Sequence, residues 1–445
     1  MIRAVSMAAS SATHGVSVPG IKGLQSKPSM KDAGFLPDVI IITEFPFPCG
    51  TGTSNNLRGQ CCALRKAGFT VGLLTRSDDA GGESESEKNY GGVPFWEIRN
   101  SPPPPRYFRT ASSYLSLDEN KIAWLRRRGL SSVKAVIVYP GLVGTSAFLL
   151  RLKRLCGQCS VPVLSFVTEW HYSRHLPERH RLLMIADIAL RVRAVNKLLS
   201  GTICVSTYLR NYYARNGYLA VRIPPLLDLS ETKWRAGADF KNSDIAQRSR
   251  LLFSGPPDRD RHDVVLQAVL KMRQSGHDVR IEYLGSTREQ IAKLLVNRDD
   301  LLNSLGEGVY FHGRVPEDQV ARVIRSASFG VLLRDEARWS KSCFPSRVPE
   351  FGGLGVPMLC NLSSDLGMYL QDGQNAILVP DVSVEGFCSA LQKAVSLSTD
   401  TLHSMREQAR QMARNFDATA YADSYRELLQ QACRSRGRLA RLICK

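Results

Sequence analysis

The sequence lacks any long hydrophobic run. No stretch of its 445 residues approaches the roughly 18 uncharged apolar residues that are needed to cross a bilayer, which excludes a membrane-spanning helix. Residues 1–35 also lack the compact apolar run and small-residue cleavage site of a secretory signal. They are rich in Ser, Ala, Gly and Lys without apolar periodicity. We therefore expect a disordered leader over 1–35 and a cytoplasmic protein.

A metal-binding pattern is also missing. Among the 11 cysteines, only Cys156 and Cys159 have a pair spacing that could suggest redox or metal chemistry, and no second Cys or His pair at metal spacing accompanies them. His175 and His180 lie near each other but have no carboxylate at ligand spacing. We expect reduced cysteines that serve as small core residues, no bound metal and no cofactor.

Acidic residues are fewer than basic ones. The 41 Asp and Glu against 59 Lys and Arg give a formal charge of +18, which calls for an acidic partner: nucleic acid, anionic lipid or a phosphorylated small molecule. The basic runs at 126–128, 151–154 and 434–441 are not interleaved with aromatic residues, which argues against nucleic acid as a partner. An anionic membrane surface and a plain solvated basic face remain as alternatives.

Short β-branched runs alternate with helical patterns in two series, which is typical of parallel sheets covered on both faces. Helices are predicted over Asn56–Ala67 and from Asp263, as N-cap, through Met272. The predicted strands are Val39–Ile42, Val71–Leu74, Ala135–Val138, Val161–Val167 and Ile203–Val205, then Leu251–Phe253, Ile281–Leu284, Val309–Phe311, Val331–Leu333, Met358–Cys360 and Ile377–Val379.

The two series predict two Rossmann-like α/β domains that face each other across a cleft. We place the first over 36–232, a linker over 233–249, the second over 250–420, and a closing helix with a basic tail over 421–445. The proline-rich segment Gly91–Arg106 is interpreted as a surface loop.

Ligands bind at the carboxyl ends of parallel strands, so the loops after the strands hold the candidate site residues. Gly50 and Gly52 follow the first strand and precede a helix N-terminus, where backbone N–H groups are free for an anion; an ordinary tight turn is the alternative. Glu169 and His171 follow the strand that ends at Val167. His171 is a candidate catalytic residue, although a lone histidine is more often a surface residue.

In the second series, Gly255 sits in a turn with Arg259 and Arg261, and arginines beside a helix N-terminus make a good diphosphate cradle. The alternative is a solvated loop.

Two further loops reach the same edge. Ser346 is a candidate cap for a helix that carries Arg347 and Glu350, and Asp365 follows the strand Met358–Cys360. An Arg beside a carboxylate can bind two parts of one nucleotide. The guanidinium binds the phosphate, and the carboxylate accepts hydrogen bonds from the ribose hydroxyls. Glu350 is also a candidate catalytic residue. A surface ion pair is the alternative for Arg347 and Glu350.

From Asp38 to Leu429 the sequence resembles the GT-B glycosyltransferases, particularly family 4, a large group of retaining enzymes that build polysaccharides and glycoconjugates. The segments that carry the resemblance are FPFPCGTGTSNNLR from Phe45, ICVSTYLRNYY from Ile203 with the following IPPLLD, VYFHGRVPEDQV from Val309, PSRVPEFGGLGVP from Pro345 and SDLGMYLQDGQNAILVP from Ser364.

The resemblance implies that Gly50 and Gly52 meet the donor phosphates, and that Arg259 or Arg261, together with Arg347, binds the diphosphate. Glu350 matches the second Glu of the family's Glu-x7-Glu motif, which holds the nucleotide ribose.

His171 matches a histidine found near the transferred sugar in some members. The sequence departs from the family at Ser342, where the first Glu of the motif normally faces the sugar hydroxyls.

The predicted function is transfer of a sugar from a UDP- or GDP-sugar to a saccharide or lipid-linked acceptor. We expect retention of configuration, as the resemblance implies, no metal, and peripheral association with the inner face of a membrane. Two alternatives remain open: a nucleotide-sugar epimerase, and a catalytically silent docking protein, which the Ser342 substitution favours.

Overall fold

The computed structural model describes residues 36–49, 51–77, 86–98, 119–141, 144–170, 176, 181–235, 250–295 and 300–443, with side chains to Arg434. The leader predicted over 1–35, most of the predicted linker, Gly50 and His171 lie outside the described residues. So do His175, His180 and residues 99–106 of the segment interpreted as a loop.

The first half of the chain forms an eight-stranded sheet in the order β3-β4-β2-β1-β5-β6-β7-β8, in which every pair is parallel except β3 with β4. The central strands are buried on both faces, as their continuous apolar runs predict. The strands are β1 Val39–Thr43, β2 Val71–Arg76, β3 Lys88–Tyr90, β4 Val93–Ile98, β5 Ala135–Tyr139, β6 Val163–Val167, β7 Gly201–Cys204 and β8 Ala220–Arg222.

The second half forms a six-stranded, fully parallel sheet in the order β11-β10-β9-β12-β13-β14. Its strands are β9 Arg250–Ser254, β10 Arg280–Leu284, β11 Val309–Gly313, β12 Phe329–Leu332, β13 Met358–Cys360 and β14 Ala376–Leu378. The strand order reverses between β1 and β5 in the first sheet and between β9 and β12 in the second. The loops that leave these strand pairs diverge, and each pair opens a crevice at its carboxyl end.

Helices cover both sheets. In the first half they are α1 Gly52–Lys66, α2 Glu119–Arg128, α3 Thr145–Gln158, α4 Arg181–Arg193 and α5 Thr207–Ala214. In the second half they are α6 His262–Gln274, α7 Arg288–Ala292, α8 Asp300–Leu305, α9 Glu317–Arg325, α10 Arg338–Ser342, α11 Arg347–Gly353, α12 Val384–Ser396, α13 Thr399–Ala413 and α14 Ala422–Ile443.

The two halves share buried contacts. Leu209 and Tyr213 on α5 belong to one hydrophobic cluster with Phe344 and Phe351 of the second half. The last helix, α14, returns to the first half, where Leu428 and Leu429 pack into the cluster that contains the buried face of α1. Each fully buried side chain of this size stabilises the fold by about 1.5–3 kcal/mol.

All eleven predicted strands are present, displaced by at most two residues at either end. The interpretation of Gly91–Arg106 as a surface loop is wrong over Val93–Ile98, which form β4 beside β2. Phe95 and Trp96 are buried there, because β4 extends the sheet and its aromatic side chains fill the space beneath its neighbouring helices. The short strands β3 and β8 were not predicted.

Two helix starts differ from expectation. Helix α1 begins at Gly52, four residues before the predicted start, because Thr51 caps it by accepting a hydrogen bond from the Ser54 N–H. Asp263 is not the N-cap of α6, which begins at His262. The Asp263 carboxylate instead accepts two hydrogen bonds from the Arg261 guanidinium, each at 2.9 Å.

None of the helices in the described part of the chain is long and apolar enough to cross a membrane.

Candidate active site

The first loop of the first half meets the second half at Gly52. A Cβ atom on this residue would stand 2.8 Å from Ser346 Oγ and 3.2 Å from Glu350 Oε1. Any larger residue would push these two side chains away. Three of the predicted donor-site residues, from loops nearly 300 positions apart, therefore lie together where α1 and α11 begin.

Glu350 is held by a chain of hydrogen bonds from the first half. Asn55 Nδ2 donates to Glu350 Oε1 at 2.9 Å, and Lys233 Nζ donates to Asn55 Oδ1 at 2.7 Å. Burial raises the pKa of Glu350, and the Asn55 hydrogen bond and the positive charges of Lys233 and Arg347 oppose that rise. Glu350 is thus a carboxyl that is oriented before any ligand arrives.

Ser346 occupies the N-cap position of α11, as predicted, but its side chain makes no capping hydrogen bond. Its backbone already has helical angles (φ −59°, ψ −23°), which turn the hydroxyl away from the helix N–H groups. The hydroxyl faces Gly52 instead.

The loop after β9 connects the halves through Arg259. Its guanidinium contacts the Glu169 carboxylate through two nitrogens, at 2.9 Å and 2.5 Å. Glu169 follows β6 of the first sheet, so this bidentate pair spans the cleft. Gly255, which opens the same loop, has a φ of +103° that only glycine adopts readily.

Arg261 points to a different set of partners. Its guanidinium bonds the Asp263 carboxylate at 2.9 Å and the Asp335 carboxylate at 3.0 Å, and these contacts raise its pKa. In this arrangement two carboxylates already neutralise the Arg261 charge.

Arg347 is buried and bonded inward. Its guanidinium donates to Asp260 Oδ2 at 3.1 Å and to the Val331 carbonyl at 3.3 Å, and it lies 4.1 Å from the centre of the Phe253 ring. Burial lowers its pKa, and the Asp260 charge opposes that shift. These contacts tie the loop after β9 to β12, so here Arg347 holds the loop in place.

Asp365 lies against the first half. Its Oδ2 accepts from the Thr207 N–H at 2.8 Å, from Thr207 Oγ1 at 3.0 Å and from Arg222 Nη1 at 3.4 Å. Thr207 is the first residue of α5, so the carboxylate also meets the positive end of a helix. No contact joins Asp365 to Gly52, Ser346 or Glu350 in the described structure.

Ser342 is fully buried between the halves. Its hydroxyl accepts from the Trp170 N–H at 2.7 Å and donates to the Trp339 carbonyl at 2.9 Å, while its own carbonyl accepts from Ser206 Oγ at 2.6 Å. Ser342 stands where the resembled family carries a Glu, and it serves here as a contact between the halves.

Sequence reasoning missed Arg334 at this edge. Arg334 comes two residues after β12 ends, so the rule that site residues follow parallel strands would have found it. Asn361 directly follows β13 and begins the predicted loop that ends at Asp365.

The structure describes 10 of the cysteines, and no disulfide joins any two of these. No group of three or more His, Cys, Asp or Glu side chains that could hold a metal ion occurs among the described residues.

The sequence model of a family described as glycosyl transferases group 1 matches residues 248–396. This segment contains the second sheet and every second-half candidate residue named above. Comparison with curated protein sequences returns no match.

Solved structures resemble the chain over most of its length. HepE from Anabaena, in complex with UDP, is 12% identical, with 88% of this chain and 99% of that chain covered and a TM-score of 0.59. Sucrose-phosphate synthase from Thermosynechococcus elongatus is 15% identical, with 88% of this chain and 99% of that chain covered and a TM-score of 0.61. An α,α-trehalose 6-phosphate synthase from Burkholderia multivorans is 13% identical, with 90% of this chain and 100% of that chain covered and a TM-score of 0.62.

The fold is GT-B. The strand orders of the two sheets and the likeness to these structures over most of the chain carry this assignment. The predicted fold class is therefore confirmed, and the group 1 glycosyltransferase match falls on the half that binds the nucleotide in the resembled family.

Proposed function

We propose that the protein is a glycosyltransferase that moves a sugar from a nucleotide-sugar donor to a saccharide or lipid-linked acceptor. The observation that carries the proposal is the meeting of Gly52, Ser346 and Glu350 where the two halves of a GT-B fold touch. The match of 248–396 to group 1 glycosyltransferases supports it. HepE structures with UDP and with UDP-glucose support a nucleotide-sugar as donor.

Glu350 would accept hydrogen bonds from the ribose hydroxyls of the donor, and the N-terminus of α1 at Gly52 would offer N–H groups to its phosphates. The charge that develops on the leaving diphosphate would be stabilised by arginines at the same edge. We propose on this ground that the reaction needs no metal. We also propose retention of configuration, with the diphosphate accepting the proton of the acceptor hydroxyl.

An apolar groove beside α4 favours a lipid-linked acceptor. Trp170, Ile185, Ile188 and Val192 line it. The Trp170 N–H bonds Ser342 Oγ, so the groove begins next to the candidate site.

The exposed face of α4 favours binding to an anionic membrane. Leu182 and Leu190 on α4 are 82% and 51% exposed, and Arg181 and Arg193 lie at the two ends of the helix. Leucines that enter the lipid boundary beside arginines that meet anionic headgroups are typical of peripheral membrane helices.

Flotation with vesicles of phosphatidylcholine alone and with phosphatidylglycerol added tests this surface. The wild type should float only with the anionic vesicles, and the Leu182→Ser, Leu190→Ser double variant should not float. The control, Leu362→Ser, removes a leucine of the second half that is 47% exposed and should float like the wild type. Equal flotation of all three proteins would contradict the membrane proposal.

The donor site is tested by calorimetric binding of UDP, GDP and ADP. One nucleotide should bind the wild type, and Glu350→Ala should weaken that binding at least about tenfold, because the lost hydrogen bonds to a charged group contribute about 1.5–3 kcal/mol. Glu336→Ala is the matched control, since Glu336 is exposed. A folded wild type that binds none of the three would refute the proposal.

A catalytically silent docking protein is the second candidate, and Ser342 favours it. Tight nucleotide binding with no release of nucleotide from UDP-sugars or GDP-sugars would support that alternative. Conversion of the sugar without any acceptor would indicate an epimerase.

A further inference from the structure

We propose that Arg334, a residue with no role assigned above, supplies the positive charge that binds the donor diphosphate. The inference rests on the proposed function and concerns the same edge of the second sheet. It replaces Arg259, Arg261 and Arg347 as the principal phosphate-binding residue.

Arg334 lies at the crevice between β9 and β12. It follows β12, which pairs with β9 at Leu251 and Leu252. The neighbouring Leu333 is bonded to the loop after β9, since its N–H donates to Asp260 Oδ1 at 3.2 Å and its carbonyl accepts from the Arg261 N–H at 2.8 Å. Arg334 thus stands where the strand order of the sheet reverses, the usual ligand position in open parallel sheets.

The main chain of Arg334 is fixed by Asn361. The Arg334 N–H donates to Asn361 Oδ1 at 3.0 Å, and Asn361 Nδ2 donates to the Arg334 carbonyl at 2.8 Å. A residue whose backbone N–H and carbonyl are both bonded loses little further main-chain conformational entropy when a ligand binds.

The guanidinium of Arg334 is buried without a carboxylate partner among the described residues. It is 4% exposed, its Nε has no hydrogen-bond partner, and its Nη1 lies 3.1 Å from Cys343 Sγ. Burial raises the pKa of Cys343, so that group is a neutral thiol and does not compensate the charge. The ring of Trp339, 5.5 Å away, is also neutral.

The other arginines of the edge are paired. Arg259 is bonded to Glu169, Arg261 to Asp263, and Arg347 to Asp260. A diphosphate would have to compete with a carboxylate at each of them. At Arg334 it would find a buried cation with a free N–H, which is the arrangement that a fork-shaped guanidinium offers to phosphate oxygens.

Ser342 fits this assignment. It directly precedes Cys343, whose Sγ lies 3.1 Å from Arg334 Nη1, and unlike the Glu of the resembled family it brings no carboxylate to this turn. The Ser342 hydroxyl is bonded to Trp170 and Trp339.

The test compares UDP and GDP with uridine and guanosine by calorimetry, on the wild type, Arg334→Met and Arg334→Lys. Arg334→Met should weaken the nucleoside diphosphate at least about tenfold and leave the nucleoside unchanged, because only the diphosphate meets the guanidinium. Arg334→Lys should restore part of the affinity. Arg314→Met is the matched control: Arg314 follows β11 of the same sheet but is exposed, and its loss should change nothing.

Thermal unfolding separates this role from a structural one. Without nucleotide, Arg334→Met should unfold at the wild-type temperature or above it, because an unpaired buried charge is removed and replaced by an apolar side chain. The rise in unfolding temperature that the diphosphate gives the wild type should be lost in the variant.

Three outcomes would overturn the assignment: unchanged diphosphate affinity in Arg334→Met, equal losses for diphosphate and nucleoside, or a lowered unfolding temperature without nucleotide. Each of these would leave the proposed function standing if the wild type binds the diphosphate. A wild type that binds no diphosphate would refute both.

Discussion

The two crevices of the molecule have the same topology, but their buried cations have different partners. Between β1 and β5, the buried Lys121 is paired with Glu44 and donates to the Thr43 carbonyl at 3.1 Å. In the same half, Arg191 Nη1 donates to the Gly141 carbonyl at 2.7 Å. Between β9 and β12, Arg334 has a free Nε and no carboxylate partner among the described residues. In the first crevice the buried cation is paired within the protein. In the second crevice the buried cation remains available to a ligand. Removing the cation should therefore damage the fold in the first crevice and the ligand affinity in the second.

The largest effect on stability is expected from Lys121→Met. Lys121 is 1% exposed, and its loss would remove its ion pair with the Glu44 carboxylate, which is 21% exposed. We expect a loss of about 3 kcal/mol of unfolding free energy, at the low end for a broken buried pair because water still reaches Glu44. Thermal unfolding measures it. Lys134→Met, which breaks an exposed pair with Asp38, should cost less than about 1 kcal/mol. Equal losses would contradict the difference in burial.

The next largest effect is a pH dependence in the second half. His262 is buried, with Nε2 2.9 Å from the Pro257 carbonyl and Nδ1 3.1 Å from the Tyr283 hydroxyl. Burial lowers its pKa from 6.5 to about 4. Between these two pKa values the unfolded chain binds a proton at His262 that the folded chain does not bind. The contribution of His262 to the free energy of unfolding is therefore complete above pH 6.5 and is lost as the pH falls towards 4. Between pH 7 and pH 5 the loss should be about 2 kcal/mol.

Unfolding at several pH values checks this expectation. His262→Gln should remove that part of the slope, since glutamine does not titrate. His403→Gln, at an exposed position on α13, should keep the wild-type slope. A slope that survives in His262→Gln would assign the pH dependence to other groups.

The smallest effect is expected from the ion pair that joins the halves. Glu169→Gln weakens the contact with Arg259, whose side chain is 31% exposed, and should cost about 1 kcal/mol or less. The readout is the radius of gyration from solution X-ray scattering, which should increase because the pair joins the two halves. An unchanged radius would contradict this role of the pair. Glu119→Gln breaks a pair with Arg151 within the first half and should leave the radius unchanged.

Much of the architecture was predictable because its signals are local. Continuous apolar runs such as Val39–Ile42 and Met358–Cys360 specify buried parallel strands without reference to the rest of the chain. The strand β4 was missed because Pro94 and two neighbouring glycines, Gly91 and Gly92, give a loop-like pattern. Its burial depends on pairing with β2.

The candidate site was predictable only in outline. The rule that ligands bind at the carboxyl ends of parallel strands made Gly52, Ser346 and Glu350 candidate site residues, and these three lie together in the structure. The same rule could not show that Arg347 is bonded inward or that Asp365 meets α5 of the other half. Side-chain partners of this kind come from segments more than 80 residues away, and sequence spacing carries no information about them.

The sequence by itself determined the alternation of strands and helices, the two series and the loops that reach the cleft, because hydrophobic periodicity acts over a few residues. Only the tertiary structure decided which arginine keeps its charge free. Four arginines follow strands of the second sheet and cannot be ranked from the sequence: Arg259, Arg261, Arg334 and Arg347. All but Arg334 are neutralised by carboxylates that the fold brings to them. The availability of a buried charge depends on what surrounds it in space, and that is settled only when distant segments pack.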